Sequence, residues 1–280
     1  MPAAPVLLVD GHHLLYRAAF GFPARITSRK GHDLTGTFGF LALLRKAHRT
    51  YAHDHQVVVA FDGEYGSAQR ASADPNYKAD RAEADHSPVA FLADIKRGLE
   101  EVGVAWTEID TAEGDDVLAT LTRQACEADR AVLVMSGDKD LYQLLAFPRT
   151  RLLNTASSAA RRFVSAADVV DRHGVRPHQW PDYRALTGDP ADSIPGIRGV
   201  GPATAGRLLA GGLALEDLPA SGRLAGKSGE RVGVHLADAL AWRELIRLDH
   251  KVDGCQLPGS ADPTPELPTA ATVLERLRLW

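Results

Sequence analysis

Three short apolar runs constrain this chain most: Val6-Leu-Leu-Val9, Val57-Val-Val-Ala-Phe61 and Ala131-Val-Leu-Val-Met135. Each is too short for a helix and shows no polar alternation, so each reads as a strand buried on both faces. Each also runs into a turn that carries a carboxylate: Asp10-Gly11, Asp62-Gly63 and Ser136-Gly137-Asp138. A further strand is expected at Val104-Ala-Trp-Thr-Glu-Ile109 and another near Arg151-Leu-Leu-Asn154. Between them, residues 14–20, 37–52 (Phe38, Leu41, Leu44, Ala47) and 89–102 (Phe91, Leu92, Ile95, Leu99) have helical apolar spacing. Such alternation implies right-handed crossovers and an α/β fold with a mainly parallel sheet flanked by helices. Ligand sites of such sheets lie beyond the carboxyl ends of the strands. Asp10, Asp62 and Asp138 therefore share one rim.

The next helix opens with Glu113-Gly114-Asp115-Asp116 before Val117-Leu-Ala-Thr-Leu121. Capping and the helix dipole account for one acid in a first turn, not for three. Asp140 follows Asp138, and Asp189 and Asp192 stand in a later turn. The candidate metal ligands are thus Asp10, Asp62, Glu113, Asp115, Asp116, Asp138, Asp140, Asp189 and Asp192. Neither His nor Cys has ligand spacing among them, and His12 and His13 read as packing groups. Oxygen-only donors select Mg²⁺ or Mn²⁺ over Zn²⁺, and this many acids favour two or more ions. Two ions about 3.5–4 Å apart suit phosphodiester hydrolysis, with water as nucleophile and no Ser/His/Asp triad required. The plain alternative is a set of turn aspartates and helix caps.

Residues 64–88 lose the core-forming period and carry Arg70, Tyr77, Lys78 and Arg81. Interleaved cations and rings suit single-stranded nucleic acid, while Asp74, Asp80, Glu83 and Asp85 suit a solvated flap. Residues 21–36, with Arg25, Arg29 and Lys30, read as a basic loop. From about 166 the alternation stops, giving expected units of 1–165 (α/β, including 64–88) and 166–280 (helical). Short helices are expected around Gly174 and Pro177, more helices over 214–250, an irregular tail over 251–269 and a closing helix. Within the second unit, Pro195-Gly196 makes a turn, Gly199 and Gly201 permit close approach, and Pro202 suits a first helical position. A Gly-rich turn into a helix N-terminus offers N–H groups to a phosphate; a tightly packed helical hairpin is the other reading.

Composition narrows the setting. The 280 residues are 45% hydrophobic with net charge −4, so a bulk polycation is excluded and any nucleic-acid face must segregate its basic residues. Cys126 and Cys255 form no CxxC pair and no disulfide framework, which fits a reducing cytosol. The first apolar run is too short for a signal peptide, and no stretch nears the roughly 20 apolar residues that span a bilayer.

Taken together, Leu-Leu-Val-Asp10-Gly with Leu-Leu-Tyr-Arg17, Ala-Phe-Asp62-Gly, Tyr77-Lys78-Ala-Asp-Arg81, Glu113-Gly-Asp115-Asp116, Ser-Gly-Asp138-Lys-Asp140-Leu-Tyr-Gln-Leu and Leu-Thr-Gly-Asp189-Pro-Ala-Asp192-Ser-Ile-Pro-Gly-Ile-Arg-Gly-Val-Gly span about residues 6–210. In these motifs and their order the chain resembles the 5′-nuclease (flap endonuclease) superfamily, nearest the 5′→3′ exonuclease module of bacterial DNA polymerase I. The resemblance implies a PIN-like domain with a helix-three-turn-helix (H3TH) motif at about 184–210. It implies a structure-specific 5′→3′ exonuclease or 5′-flap endonuclease of replication and repair, acting on DNA with a 5′ end, flap, nick or branch, with RNA–DNA hybrid a further candidate. Asp10, Asp62, Glu113 and Asp115 would hold a first ion and the remaining acids a second, Asp116 through water. Asp10, Asp115, Asp138, Lys78 and Arg81 would act in catalysis. Arg17, Arg70, Tyr77, Lys78, Arg81, Gly196, Arg198, Gly199, Gly201 and Thr204 would bind DNA, and the carbonyls of Ile197 and Val200 a K⁺ ion. Where the family commonly has Ala and Asn, this chain has Gly114 and Ser193, and Asp80 stands at a usually neutral position. The chain ends at Trp280 without polymerase motifs, so a stand-alone nuclease, or a piece produced as one, is expected. The rival readings are a DNA-binding protein that no longer cleaves and a PIN-type ribonuclease; a nucleotide-binding protein is disfavoured, since no GxGxxG or P-loop follows any strand.

Overall fold

The computed structural model describes residues 3–79, 84–259 and 262–280. Strands β1 (Val6–Asp10), β2 (Gln56–Asp62), β3 (Ala105–Ile109), β4 (Val132–Met135), β5 (Thr150–Leu153) and β6 (Phe163–Val164) form one sheet, ordered β3-β2-β1-β4-β5-β6. The first five are mutually parallel and β6 is antiparallel to β5. Strand β1 lies in the middle, and Val9 pairs with both Val59 and Met135, so the three acid-bearing strand ends fall on one rim.

Side chains alternate strictly between the two faces, as a pleated strand requires. Leu7, Val9, Val57, Val59, Leu133 and Met135 pack under α1 (Gly11–Gly21), α2 (Thr35–Tyr51) and α4 (Leu92–Glu101). Val6, Leu8, Val58, Val132 and Val134 face α5 (Gly114–Glu127). Between β2 and α4, the described part of the segment expected to lack a core period carries a short helix, α3 (Ala68–Ala73), with no buried residue, and runs into a 3-10 helix at Ser87–Phe91.

The second apolar cluster does not stop at the sheet. It continues through α6 (Ala166–His173), α7 (Trp180–Thr187), α8 (Pro202–Leu209), α9 (Gly226–Val234) and α10 (Leu236–Ile246), by way of Val169, Trp180, Leu208, Val232 and Ile246. The helical part thus shares a core with the α/β part. The α7–α8 turn is fixed by a reciprocal Asp189–Ile194 backbone pair, both bonds 2.8 Å. Gly196 has φ +65, and a Cβ there would fall 2.3 Å from the Gly188 nitrogen, so only glycine fits. Pro202 is the first residue of α8, after Gly201 as its cap.

Among the described residues the tail has no helix or strand until α11 (Ala270–Arg276), but it is strapped to the first unit. Thr264 accepts the Val57 N–H at 2.8 Å and donates its own N–H to the His55 carbonyl at 3.0 Å. Arg45 donates to the Leu267 carbonyl at 2.7 Å, and Ala270 and Val273 pack with Leu41. The expected division at 165 therefore does not separate the last residues from the α/β layer. No helix among the described residues is long and apolar enough to cross a membrane.

Candidate metal centre and nucleic-acid interface

Asp10 closes β1 and caps α1. One carboxylate oxygen accepts the His13 N–H at 2.9 Å, and the other accepts the Ser136 hydroxyl at 2.7 Å. Ser136 Oγ accepts the Asp138 N–H at 3.0 Å, tying the ends of β1 and β4 together. Asp62 Oδ1 accepts the Gly114 N–H at 2.6 Å, at the positive end of α5. A Cβ at Gly114 would lie 2.8 Å from that oxygen, so the glycine leaves room for the carboxylate. Glu113 is only 6% exposed and is met by three groups: the Tyr77 hydroxyl at 3.2 Å, the Lys78 ammonium, and Arg70 at 3.6 Å. Asp10, Asp62, Glu113, Asp115 and Asp138 line a cleft of about 600 Å³ together with Lys78.

A second group adjoins it. Asp140, Asp189 and Asp192 each offer a carboxylate oxygen, all within 4.8 Å of one another. Trp180 Nε1 donates to Asp140 at 3.2 Å, and Arg184 lies 3.5 Å from Asp140 while pairing with Asp189. Asp138 joins the two groups electrostatically. Burial, then the charge of Asp138, then those of Asp10 and Asp62 push the Asp115 carboxyl well above the usual range, against Lys78. Burial, Asp138 and Asp189 do the same to Asp140, against Arg184. Asp10 is also raised, mainly by burial. For Asp189, burial pushes upward, but Arg184 outweighs it and holds the carboxyl below its usual range. Carboxylates that repel one another to this degree, offering oxygen donors only, fit hard divalent cations.

Several expected site residues are placed otherwise. Asp116 does not face either group: Arg70 holds both its oxygens, at 2.6 and 2.8 Å, and the Asp249 N–H donates to it at 2.8 Å. Arg70 also donates to the Arg247 carbonyl at 3.0 Å, so it is an internal counter-charge, not a free phosphate contact. Tyr77 is 6% exposed within the apolar cluster, which removes its ring from stacking on bases. Arg17 is half-buried and donates to the Thr155 carbonyl at 3.3 Å, bracing the residues after β5. Lys78 lies inside the cleft, beside Glu113 and 3.9 Å from Asp192. Arg81 lies outside the described residues, as do Asp80 and Glu83.

The Gly196–Thr204 turn is exposed at Arg198, Gly199 and Gly201. Gly199 has φ +82, and a Cβ there would strike the Arg231 guanidinium at 2.4 Å; Arg231 itself donates to the Arg198 carbonyl at 2.5 Å. Nothing stands within 4 Å of a Cβ at Gly201, leaving that side open. Thr204 donates its N–H to Gly201, and the Ile197 carbonyl accepts the Val200 N–H at 2.9 Å. Residues not singled out from the sequence are Ser136, Trp180, Arg184 and Arg231. Each is ordinary in its local pattern and has at least one partner distant in sequence: Asp10 for Ser136, Asp140 for Trp180 and Arg184, Arg198 for Arg231.

A mainly parallel sheet whose strand-end carboxylates gather under a helical turn defines an α/β protein with a polyacidic rim. Residues 5–184 match the 5'-3' exonuclease, N-terminal resolvase-like domain, and residues 175–261 match the 5'-3' exonuclease, C-terminal SAM fold. The chain belongs to the 5'-3' exonuclease family. It is 38% identical over 243 residues to the thermostable DNA polymerase I of Thermus aquaticus, covering 86% of this chain and 28% of that protein. It thus spans under a third of the curated relative's length. Among solved structures, the bacteriophage T5 flap endonuclease, in a pseudo-enzyme-product complex with DNA and metal ions, aligns with TM-score 0.67 at 19% identity, covering 88% of this chain and 89% of that one. Human GEN1 in complex with Holliday junction DNA aligns with TM-score 0.62 at 14% identity, covering 99% and 70%.

Proposed function

We propose that this chain is a divalent-metal-dependent 5′ nuclease that hydrolyses DNA phosphodiester bonds at 5′ ends, flaps, nicks or branches during replication and repair in a bacterial cytosol. The observation that carries the reading is the pair of carboxylate groups joined at Asp138, with Lys78 beside them. Asp10, Asp62, Glu113 and Asp115 would hold one ion, and Asp138, Asp140, Asp189 and Asp192 another. When bound, Mg²⁺ or Mn²⁺ supplies the charge that activates water and stabilises the departing oxygen.

The chain's own groups do the rest. Ser136 and the Gly114 N–H orient Asp10 and Asp62. Tyr77 and Arg70 hold Glu113, and Lys78 offers a positive group to the scissile phosphate from inside the cleft. Arg81 would extend that positive group at the gateway. Arg198 and the exposed N–H groups of the Gly196–Thr204 turn would grip duplex phosphates, with a K⁺ ion at the carbonyls of Ile197 and Val200. The named DNA complexes of the T5 and GEN1 proteins support DNA as the polymer.

The test is cleavage of 5′-labelled flap, nicked and blunt duplexes with Mg²⁺, Mn²⁺ or EDTA, alongside RNA flaps and RNA–DNA hybrids. Metal-dependent cleavage of the DNA flap, abolished by Asp115→Asn with Asp138→Asn, is expected. Binding without cleavage under every metal would favour the non-cleaving rival, and preference for RNA the ribonuclease.

A further inference from the structure

Asp138 borders a second cavity, of about 410 Å³, that the proposed reaction leaves unused. Its walls come from three places: the turn after β4 (Lys139), the residues joining β5 to β6 (Asn154, Arg161), and α6 (Arg172, His173). Among the described residues Asp138 is the only acid lining it, against three cations. Around the carboxylate rim the cations are consumed internally: Arg70 by Asp116, Lys78 by Glu113, Arg184 by Asp189. Here they are not. Arg172 shares an exposed pair with Asp168 at 3.1 Å, whereas Lys139 and Arg161 have no side-chain ion pair or hydrogen bond among the described residues. The two approach the cavity from different elements.

Cations outnumber acids on the walls of the cavity. His173, on the same wall, is held below its usual pKa by burial first and then by Lys139, Arg172 and Arg184. A polar cavity with such walls selects an anion. Its shared wall with the carboxylate cleft selects one that is covalently continuous with a group in that cleft.

We propose that this cavity is an anion subsite that seats a backbone phosphate of the nucleic acid flanking the scissile position, with Lys139 and Arg161 as its principal contacts. This rests on the nuclease reading and adds a contact separate from both the arch segment and the H3TH turn. Removing the two charges should cost affinity through lost counter-ion release, a term that is sequence-independent and steep in salt.

The experiment uses the full chain in an Asp115→Asn background, so that DNA is bound and not cut. Anisotropy of a labelled nicked-flap duplex is measured from low to high salt for this protein and for its Arg161→Gln, Arg161→Lys and Lys139→Gln/Arg161→Gln derivatives. Arg161→Gln is expected to weaken binding about three- to tenfold, Arg161→Lys to restore most of it, and the double variant to flatten the salt slope by about one phosphate's share. A scan of single methylphosphonate substitutions should find one phosphate whose neutralisation hurts the parent and not the double variant. Unchanged affinity and slope, with unchanged thermal melting, would overturn the subsite. So would a double variant that loses competition by inorganic phosphate while keeping its DNA affinity, since that marks a free-anion site. Failure of the protein without Asp115→Asn to cleave any DNA would instead refute the nuclease reading.

Discussion

Asp115 and Asp116 are neighbours in sequence and opposites in circumstance. Asp115 faces like charges and carries a raised pKa, while Asp116 is neutralised by the Arg70 fork and an Asp249 N–H. Arg70 reaches Glu113 as well, three residues earlier on the same side of the helix start. The two positions should therefore respond in opposite ways. Asp115→Asn relieves a buried repulsion, so the metal-free protein should melt no lower than the parent and should lose its Mg²⁺-dependent rise in melting temperature. Asp116→Ala removes the carboxylate that holds both arms of the Arg70 fork, leaving it Glu113 at 3.6 Å and the Arg247 carbonyl at 3.0 Å, and should cost up to about 3 kcal/mol by analogy with other broken buried pairs. Calorimetry with and without Mg²⁺ separates these outcomes; a stable Asp116→Ala protein that no longer responds to Mg²⁺ would make Asp116 a ligand after all. The sequence shows that three acids exceed what a helix cap needs. It does not show which way each points, because Arg70 and Asp249 lie far away along the chain.

Among the elements, strands and their acid-bearing ends are legible in the sequence because an apolar run closed by Asp-Gly has few other uses. The 64–88 segment misleads in part, for a physical reason. Interleaved Arg, Tyr and Lys describe an exposed polyanion-binding strip and a set of internal counter-charges equally well, and here Arg70 and Tyr77 are inside. The α7–α8 turn shows the opposite case, since its glycines state their geometry in advance. One position there does not match its backbone: Ser193 sits at φ +58, where an L residue is disfavoured by roughly 1–2 kcal/mol. Asn enters this region more readily than Ser. Ser193→Asn should recover part of that cost and raise the melting temperature by about 1–3 °C. A lower melting temperature would show that the Ser193 side chain contributes more where it is than the backbone loses.

At the scale of the whole molecule, a net charge of −4 says little, because its distribution decides the behaviour. Acids drawn from β1, β2, α5, β4 and the α7–α8 turn meet at one rim, and folding itself brings the repulsion into being. Asp10, Asp115 and Asp140 are all pushed up from the ordinary carboxylate value in the metal-free fold, the last two well above it, in each case chiefly by burial. The sign follows from linkage. Between the unfolded value and these raised values the folded chain holds protons that the unfolded chain has released. Without metal, stability contributed by these groups is therefore greatest below the unfolded pKa and is lost as pH rises through the folded ones. Asp189, lowered by Arg184 against burial, runs the other way: its contribution is present above the unfolded pKa and is lost as pH falls through its depressed value. Mg²⁺ needs the ionised carboxylates, so its binding should expel protons, and its stabilising effect should grow as pH rises from the unfolded carboxylate value through the raised ones. Thermal melts across that range with EDTA or Mg²⁺ test the first part. Calorimetric titrations in two buffers of different ionisation enthalpy test the second, with net proton release expected and its size falling as pH rises. Mg²⁺ binding with no proton release at any pH would mean that the three acids are already ionised together without it. The rim would then owe its tolerance of charge to Lys78 and Arg184 alone, and not to ions bound between its two carboxylate groups.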